Sequence, residues 1–113
     1  MEDYKFVQIG EKKYPVRFGF NALRKFSMRT GMGLQDFDKL GTDMSLDSAL
    51  QLIFCGIEDG YRKAKQPNEI QSIDDLADLI DTDYGAIERC MNILTSMLTS
   101  GAEKKKKAKK EKK

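Results

Sequence analysis

The side chains best suited to catalysis or metal binding are few in this chain and far apart. The sequence has no histidine, which removes the commonest general base and metal ligand. Its two cysteines, Cys55 and Cys90, are too isolated to form a zinc cluster, and both fall in apolar stripes where free thiols are usually buried. No serine occupies the Gly-x-Ser-x-Gly turn of a hydrolase nucleophile. We therefore expect no catalytic residue, no metal site, no cofactor and no small-molecule substrate.

Five aspartates lie close together in the second half of the chain and are the nearest approach to a cation site. Their spacing lacks the Asp-x-Asp-x-Asp-Gly order and the distal glutamate of a calcium loop. Aspartate is also favoured at helix starts, where it caps free N–H groups and faces the positive end of the helix dipole. We interpret as caps and solvated charges the residues Asp74, Asp75, Asp78, Asp81 and Asp83.

The methionines suggest binding rather than catalysis, since the chain has six in 113 residues. Methionine is flexible and polarizable, so it fills gaps in cores and also forms adaptable surfaces for partners. Met32 and Met44 lie in predicted loops, and these two are the ones we expect to be exposed.

The charges divide the chain into two parts. Residues 101–113 hold eight lysines and two glutamates, a net charge of +6. The remaining 12 basic and 16 acidic residues give residues 1–100 a net charge of −4. An acidic body is a poor platform for phosphates, so any nucleic-acid binding is expected to be weak and to come from the tail. The tail has no apolar anchor, and we expect it to be disordered.

The residues that could bind a partner are positioned by helices, and residues 46–65 predict the central one. Apolar residues recur there at steps of three and four, and a second set makes the middle apolar nearly all round, as in a buried helix. Ser45 is placed to cap it. Its last third is expected to emerge into solvent because it contains Glu58, Asp59, Arg62 and Lys63.

A hairpin is predicted ahead of the central helix, with strands over residues 4–9 and 14–18 and a turn at Gly10. The second strand alternates apolar and polar residues, the period of a half-buried strand. Pro15 cannot donate to a ladder, so its side of the strand is expected to be an open edge. A lone hairpin is marginal in water, and this one must pack on helices.

Further helices complete the predicted domain. Residues 22–30 form one, with Asn21 as its N-cap and Gly31 as its stop, and residues 34–40 suggest a short one. Residues 73–80 open with a capping box at Ser72. The last helix, residues 84–100, is capped by Asp83 and has an apolar stripe of Ile87, Met91, Leu94 and Leu98, with Cys90 and Met97 beside it.

The predicted fold class is therefore α+β and predominantly α-helical. An N-terminal two-stranded β-hairpin packs on about four to five helices in a single domain, residues 1–100. The disordered Lys-rich tail, residues 101–113, follows it.

Three stretches resemble the tail assembly chaperones of long-tailed, siphovirus-like bacteriophages and prophages. They are YPVRFGFNALRKFSMRTG, SALQLIFCGIEDGYRKAK and IDDLADLID, and they lie within residues 4–83. The resemblance implies a small, mostly helical, non-enzymatic protein. It also implies binding to the tape measure protein, and assistance while the tail tube protein assembles around that protein.

The resemblance leads to a tentative partner-binding surface in this chain, composed of Met32, Met44, Ile87, Met91, Leu94 and Leu98. An exposed apolar face of this kind is also suited to self-association. The sequence has no signal peptide and no apolar run long enough to cross a bilayer, so we expect a cytoplasmic protein that makes no membrane contact. Two alternatives stay open: a small nucleic-acid-associated protein acting through its tail, and a structural adaptor of the virion tail.

Overall fold

The computed structural model describes residues 4–33 and 44–97, in which two strands and four helices form. The strands are β1 (Lys5–Ile9) and β2 (Lys12–Val16), and the helices are α1 (Phe20–Thr30), α2 (Leu46–Ala64), α3 (Ile73–Asp81) and α4 (residues 85–97). The predicted α+β, helix-dominated class is confirmed. The short helix predicted over residues 34–40 and the tail lie outside the described residues.

The hairpin is an antiparallel pair closed by a two-residue turn. Gly10 adopts a positive φ of 67°, which glycine tolerates without strain. Pairing starts directly beyond the turn, at Ile9 with Lys12, so β2 begins two residues earlier than predicted. The inward side chains of the two strands are buried in the core, as predicted for Tyr14 and Val16: Val7, Ile9, Tyr14 and Val16. The alternation predicted for β2 fails at Pro15, which is buried between two of them.

The edge of β2 that was predicted to be open is covered by α2. Just beyond the strand, the N–H of Arg17 donates to the carbonyl of Gly56 at 2.9 Å. At Gly60 the helix comes so close that an added Cβ would overlap the backbone of Pro15 and Val16. The prediction for Pro15 is therefore wrong, and Pro15 is buried. A proline is suited to this position because no N–H is left unpaired against the helix.

Helix α1 ends as predicted but starts differently. Gly31, at a φ of 78°, closes the helix by donating its N–H to the carbonyl of Ser27. The N-cap is Gly19 rather than Asn21, whose side-chain oxygen instead accepts hydrogen bonds from Arg24 inside the first turn. The guanidinium of Arg17 occupies the space beside Gly19 that a side chain would need.

Helix α2 is central, as predicted, and contacts β2, α1 and α3. The hydroxyl of Ser45 accepts the N–H of Ser48 at 3.1 Å and caps the first turn. Residues 52–61 are all buried except Glu58. The helix ends at Lys65, which takes the left-handed conformation with a φ of 58°.

The last two helices confirm the predicted elements with a shift in one buried face. Ser72 caps α3 by accepting the N–H of Asp75 at 3.1 Å. In α4 the fully buried line is Ala86, Cys90 and Leu94. Leu94 belongs to the predicted stripe, whereas Ile87 and Met91 of that stripe are only partly buried, beside the line. The small side chains of Ala86 and Cys90 allow the helix to approach the core closely.

We predict that Gly60→Ala destabilises the fold although alanine is the better helix former. Its Cβ would overlap the backbone of β2, and overpacking of this kind costs about 1–3 kcal/mol. Gly85→Ala is the matched control, because a Cβ there meets the end of the Arg89 side chain. We expect it to change the free energy of unfolding by less than about 1 kcal/mol. Urea denaturation of both variants measures the difference, and equal stability would contradict the close approach of α2 to β2.

Candidate functional site

The residues predicted to bind a partner are mostly packed against the core. Met32, Met44, Ile87 and Met91 are partly buried, each in contact with the central cluster of apolar side chains. Leu94 is fully buried and offers no area to a partner in this structure. Leu98 lies outside the described residues.

The largest exposed apolar side chains are found elsewhere. Phe20 is 76% and Met28 72% exposed, and both belong to α1. The other large exposed side chains are Phe6, Leu46 and Tyr84. The sequence analysis did not predict that α1 has an exposed apolar side. The spacing of Phe20 and Met28, eight positions apart and hence on one side of a helix, was the available signal.

The outer face of α1 is the line of Phe20, Arg24 and Met28, one helical turn apart. The line faces away from the core, since Ala22 and Phe26 on the opposite side are fully buried. Arg24 lies between the two apolar side chains, with Nη1 3.4 Å from the sulfur of Met28. Its Nε and Nη2 donate to the side chain of Asn21, which holds the guanidinium against the helix.

The charge around the outer face is positive. Helix α1 contains Arg24, Lys25 and Arg29 and no acidic residue. Lys25 and Arg29 share one carboxylate, that of Glu58, each at 3.4 Å. A shallow hollow of about 210 Å³ lies among the three basic side chains and Met28. Arg24 makes no ion pair within the described ranges.

Arg29 connects the outer face to the core. Its guanidinium lies over the ring of Phe54, 5.1 Å from the centroid, and donates to the sulfur of Cys55 at 3.1 Å. Burial raises the pKa of the Cys55 thiol, although the charge and hydrogen bond of Arg29 act in the opposite direction. Burial also raises the pKa of Cys90 to about 12. The prediction that both cysteines are buried thiols is confirmed.

Asp59 was predicted to lie in solvent, and this prediction is wrong because its side chain is 0% exposed. One carboxylate oxygen accepts from Nη1 of Arg17 at 2.9 Å, and the other from Nε and Nη2 of Arg62 at 2.9 and 2.7 Å. Burial alone would raise the pKa of Asp59, but the hydrogen bonds and charges of the two arginines hold it below its usual value. The carboxylate thereby joins the end of β2 to α2.

A second carboxylate joins the hairpin to the last helices. Asp83 accepts the N–H of Gly10 at 3.0 Å and a guanidinium N–H of Arg89 at 2.6 Å. The same Arg89 nitrogen donates to the carbonyl of Gln8 at 3.0 Å, on the edge of β1 that does not pair with β2. The hydrogen bond from Arg89 lowers the pKa of Asp83. The backbone carbonyl of Asp83 accepts the N–H of Ala86 at 3.0 Å, and a hydrogen bond from the backbone of Gly85 also lowers the pKa of the Asp83 carboxyl, so the residue lies at the start of α4.

In residues 4–33 and 44–97, no group of three or more cysteine, aspartate or glutamate side chains is arranged to hold a metal ion. None of the helices described here is both long and apolar enough to cross a membrane. No family model, characterised protein or solved structure matches this chain.

We predict that Asp59→Ala lowers the free energy of unfolding by about 3 kcal/mol. The variant leaves two guanidinium groups against the core without their carboxylate, and their remaining contact with solvent keeps the loss near the lower end of the usual range. Asp78→Ala removes an exposed carboxylate from α3 and should change stability by less than about 0.5 kcal/mol. If chemical denaturation gives the two variants equal losses of unfolding free energy, the buried carboxylate of Asp59 contributes no more to stability than an exposed one.

We also predict a contribution of Asp59 to the acid sensitivity of the fold. Its pKa is lower in the folded chain than the value of about 3.9 usual for an unfolded one, so its stabilisation is complete above that pH. The stabilisation is lost as the pH falls below about 4, through the folded pKa. The stability gap between wild type and Asp59→Asn should therefore narrow on acidification, whereas Asp78→Asn should follow wild type. Denaturation midpoints measured across this pH range provide the test, and a constant gap would contradict it.

Proposed function

We propose that this chain is a non-enzymatic tail assembly chaperone of a long-tailed bacteriophage or prophage. It binds the tape measure protein in the bacterial cytoplasm and assists the assembly of the tail tube. The observation that carries this proposal is the outer face of α1, where two large apolar side chains flank an arginine in solvent. Aromatic residues, methionine and arginine are the types enriched where proteins bind each other.

The extent of this face favours a transient interaction. From Phe20 to Met28 the helix rises about 12 Å, two turns. Such a face falls short of the roughly 800 Å² per partner that stable interfaces usually bury. A chaperone must release its client when the tube closes around it, so a small contact repeated along a long helical client suits the task.

The resemblance of the sequence supports the choice of client. The stretches that carry it include the end of β2, α1 with its stop at Gly31, the whole buried part of α2, and α3. The partly buried side chains Met32, Met44, Ile87 and Met91 extend the proposal to a second contact region. We assign to that region the contacts with the tail tube protein or with a second copy of this chain.

We predict that co-expression with the tape measure protein of the same genome keeps that client soluble. The expected result is a client in the soluble fraction with wild type and in the pellet with an unrelated protein of similar size and net charge. The reason is that exposed apolar stripes of the client are covered before they associate with each other. Gel analysis of both fractions provides the measurement.

Two outcomes would contradict this prediction. An insoluble client in the presence of folded wild type would remove the chaperone function. Recovery of this chain in purified, finished tails would favour the structural adaptor instead, since a chaperone leaves before the particle is complete.

A further inference from the structure

We infer that the outer face of α1 is a docking surface for an amphipathic helix with carboxylates beside its apolar stripe. The identity of the client rests on the proposed function, whereas the chemistry of the bound segment rests on α1 alone. Three features of α1 support it: an arginine with unused donors, an apolar spacing that fits a helix, and two further basic residues that share a single acid, Glu58.

The first feature is the set of unused hydrogen-bond donors on Arg24. A guanidinium has five N–H donors, and three of those in Arg24 are used within the described chain, two on Asn21 and a weak one on the sulfur of Met28. Two donors and the full positive charge therefore face solvent. A carboxylate can accept such a pair in the bidentate geometry that makes arginine–carboxylate contacts strong and specific.

The second feature is the spacing of the exposed apolar side chains along α1. Phe20 and Met28 lie one turn on either side of Arg24, each about 6 Å away along the helix axis. An incoming helix presents apolar residues at i, i+3, i+4 and i+7, at comparable intervals. Such a helix can place apolar side chains on Phe20 and Met28 while a carboxylate at the margin of its stripe reaches Arg24.

The third feature is the positive charge around α1. Glu58 is the acid that pairs with Lys25 and Arg29, and sharing it leaves one of these two charges uncompensated. The region around α1 is thus positive on a body whose net charge is −4. This field attracts an acidic segment and disfavours a basic one.

A second copy of this chain fits the face less well than an acidic amphipathic helix does. Its α3 carries four aspartates, but Leu76 and Ile80 of that helix are buried in its own core, and Ile73 and Leu79 are packed against the same core. Carboxylates without an apolar stripe would leave Phe20 and Met28 uncovered. We therefore assign the face to a separate partner.

Two synthetic peptides test the inference. Each is a helix of about 18 residues, long enough to be partly helical in water, with the same leucine stripe and a fluorescent label. One carries glutamate beside the stripe and the other carries lysine at the same positions. Fluorescence anisotropy against the full-length chain should show binding of the glutamate peptide and at least about tenfold weaker binding of the lysine peptide, as expected from like-charge repulsion.

Variants of the exposed positions locate the contact. Arg24→Glu should weaken binding of the glutamate peptide by about tenfold or more and should strengthen binding of the lysine peptide. The double variant, Phe20→Ser with Met28→Ser, should weaken binding of both peptides. Tyr84→Ser is the matched control, because this aromatic residue is 74% exposed but lies between α3 and α4. Circular dichroism confirms that each variant is folded.

Several outcomes would overturn the inference. They are equal binding of the two peptides, an Arg24→Glu variant that binds like wild type, and a Tyr84→Ser variant that loses as much as the double variant. The face would belong to a second copy if the wild type is a dimer, the double variant is a monomer, and the glutamate peptide does not compete with dimer formation. Glutamate-peptide binding by a wild type that fails to keep the client soluble would support this inference and remove the proposed function.

Discussion

The buried carboxylate of Asp59 is the constraint on which the rest of this structure depends. It holds Arg17 from the end of β2 and Arg62 from its own helix at distances of 2.7–2.9 Å. To reach Asp59, the guanidinium of Arg17 passes beside Gly19, where no side chain can stand. Helix α1 starts at the next residue. The start point sets the rotation of α1, and with it the side chains that face the core and those that face solvent.

The parts that the sequence predicts well are those decided by neighbours in the chain. The central helix follows from apolar spacing and the Ser45 cap, and both features operate within a few residues. The end of α1 follows from Gly31, because a left-handed residue is needed there and glycine adopts that conformation without strain. The start of α3 follows from Ser72 in the same way. These signals are local, so they retain their meaning in the folded chain.

The parts that the sequence predicts badly depend on contacts between distant residues. Asp59 stands among charged residues in the last third of α2, a pattern typical of a solvated helix end. Its burial follows only once Arg17, 42 residues earlier, is known to approach it. The covered edge at Pro15 depends in the same way on Gly60 of α2. In α4 the buried residue is Cys90 rather than Met91. The two are adjacent in the chain, and apolar periodicity does not distinguish two stripes that are only one residue apart.

The outer face of α1 was missed for a related reason, which also bears on function. Phenylalanine and methionine are typical core residues in a sequence, and α1 has two lines of apolar side chains, one with Ala22 and Phe26 and the other with Phe20 and Met28. Which line is buried is decided by where the helix starts, and thus by the path of Arg17 to Asp59. The charge buried in the core and the apolar residues left in solvent are two results of the same constraint.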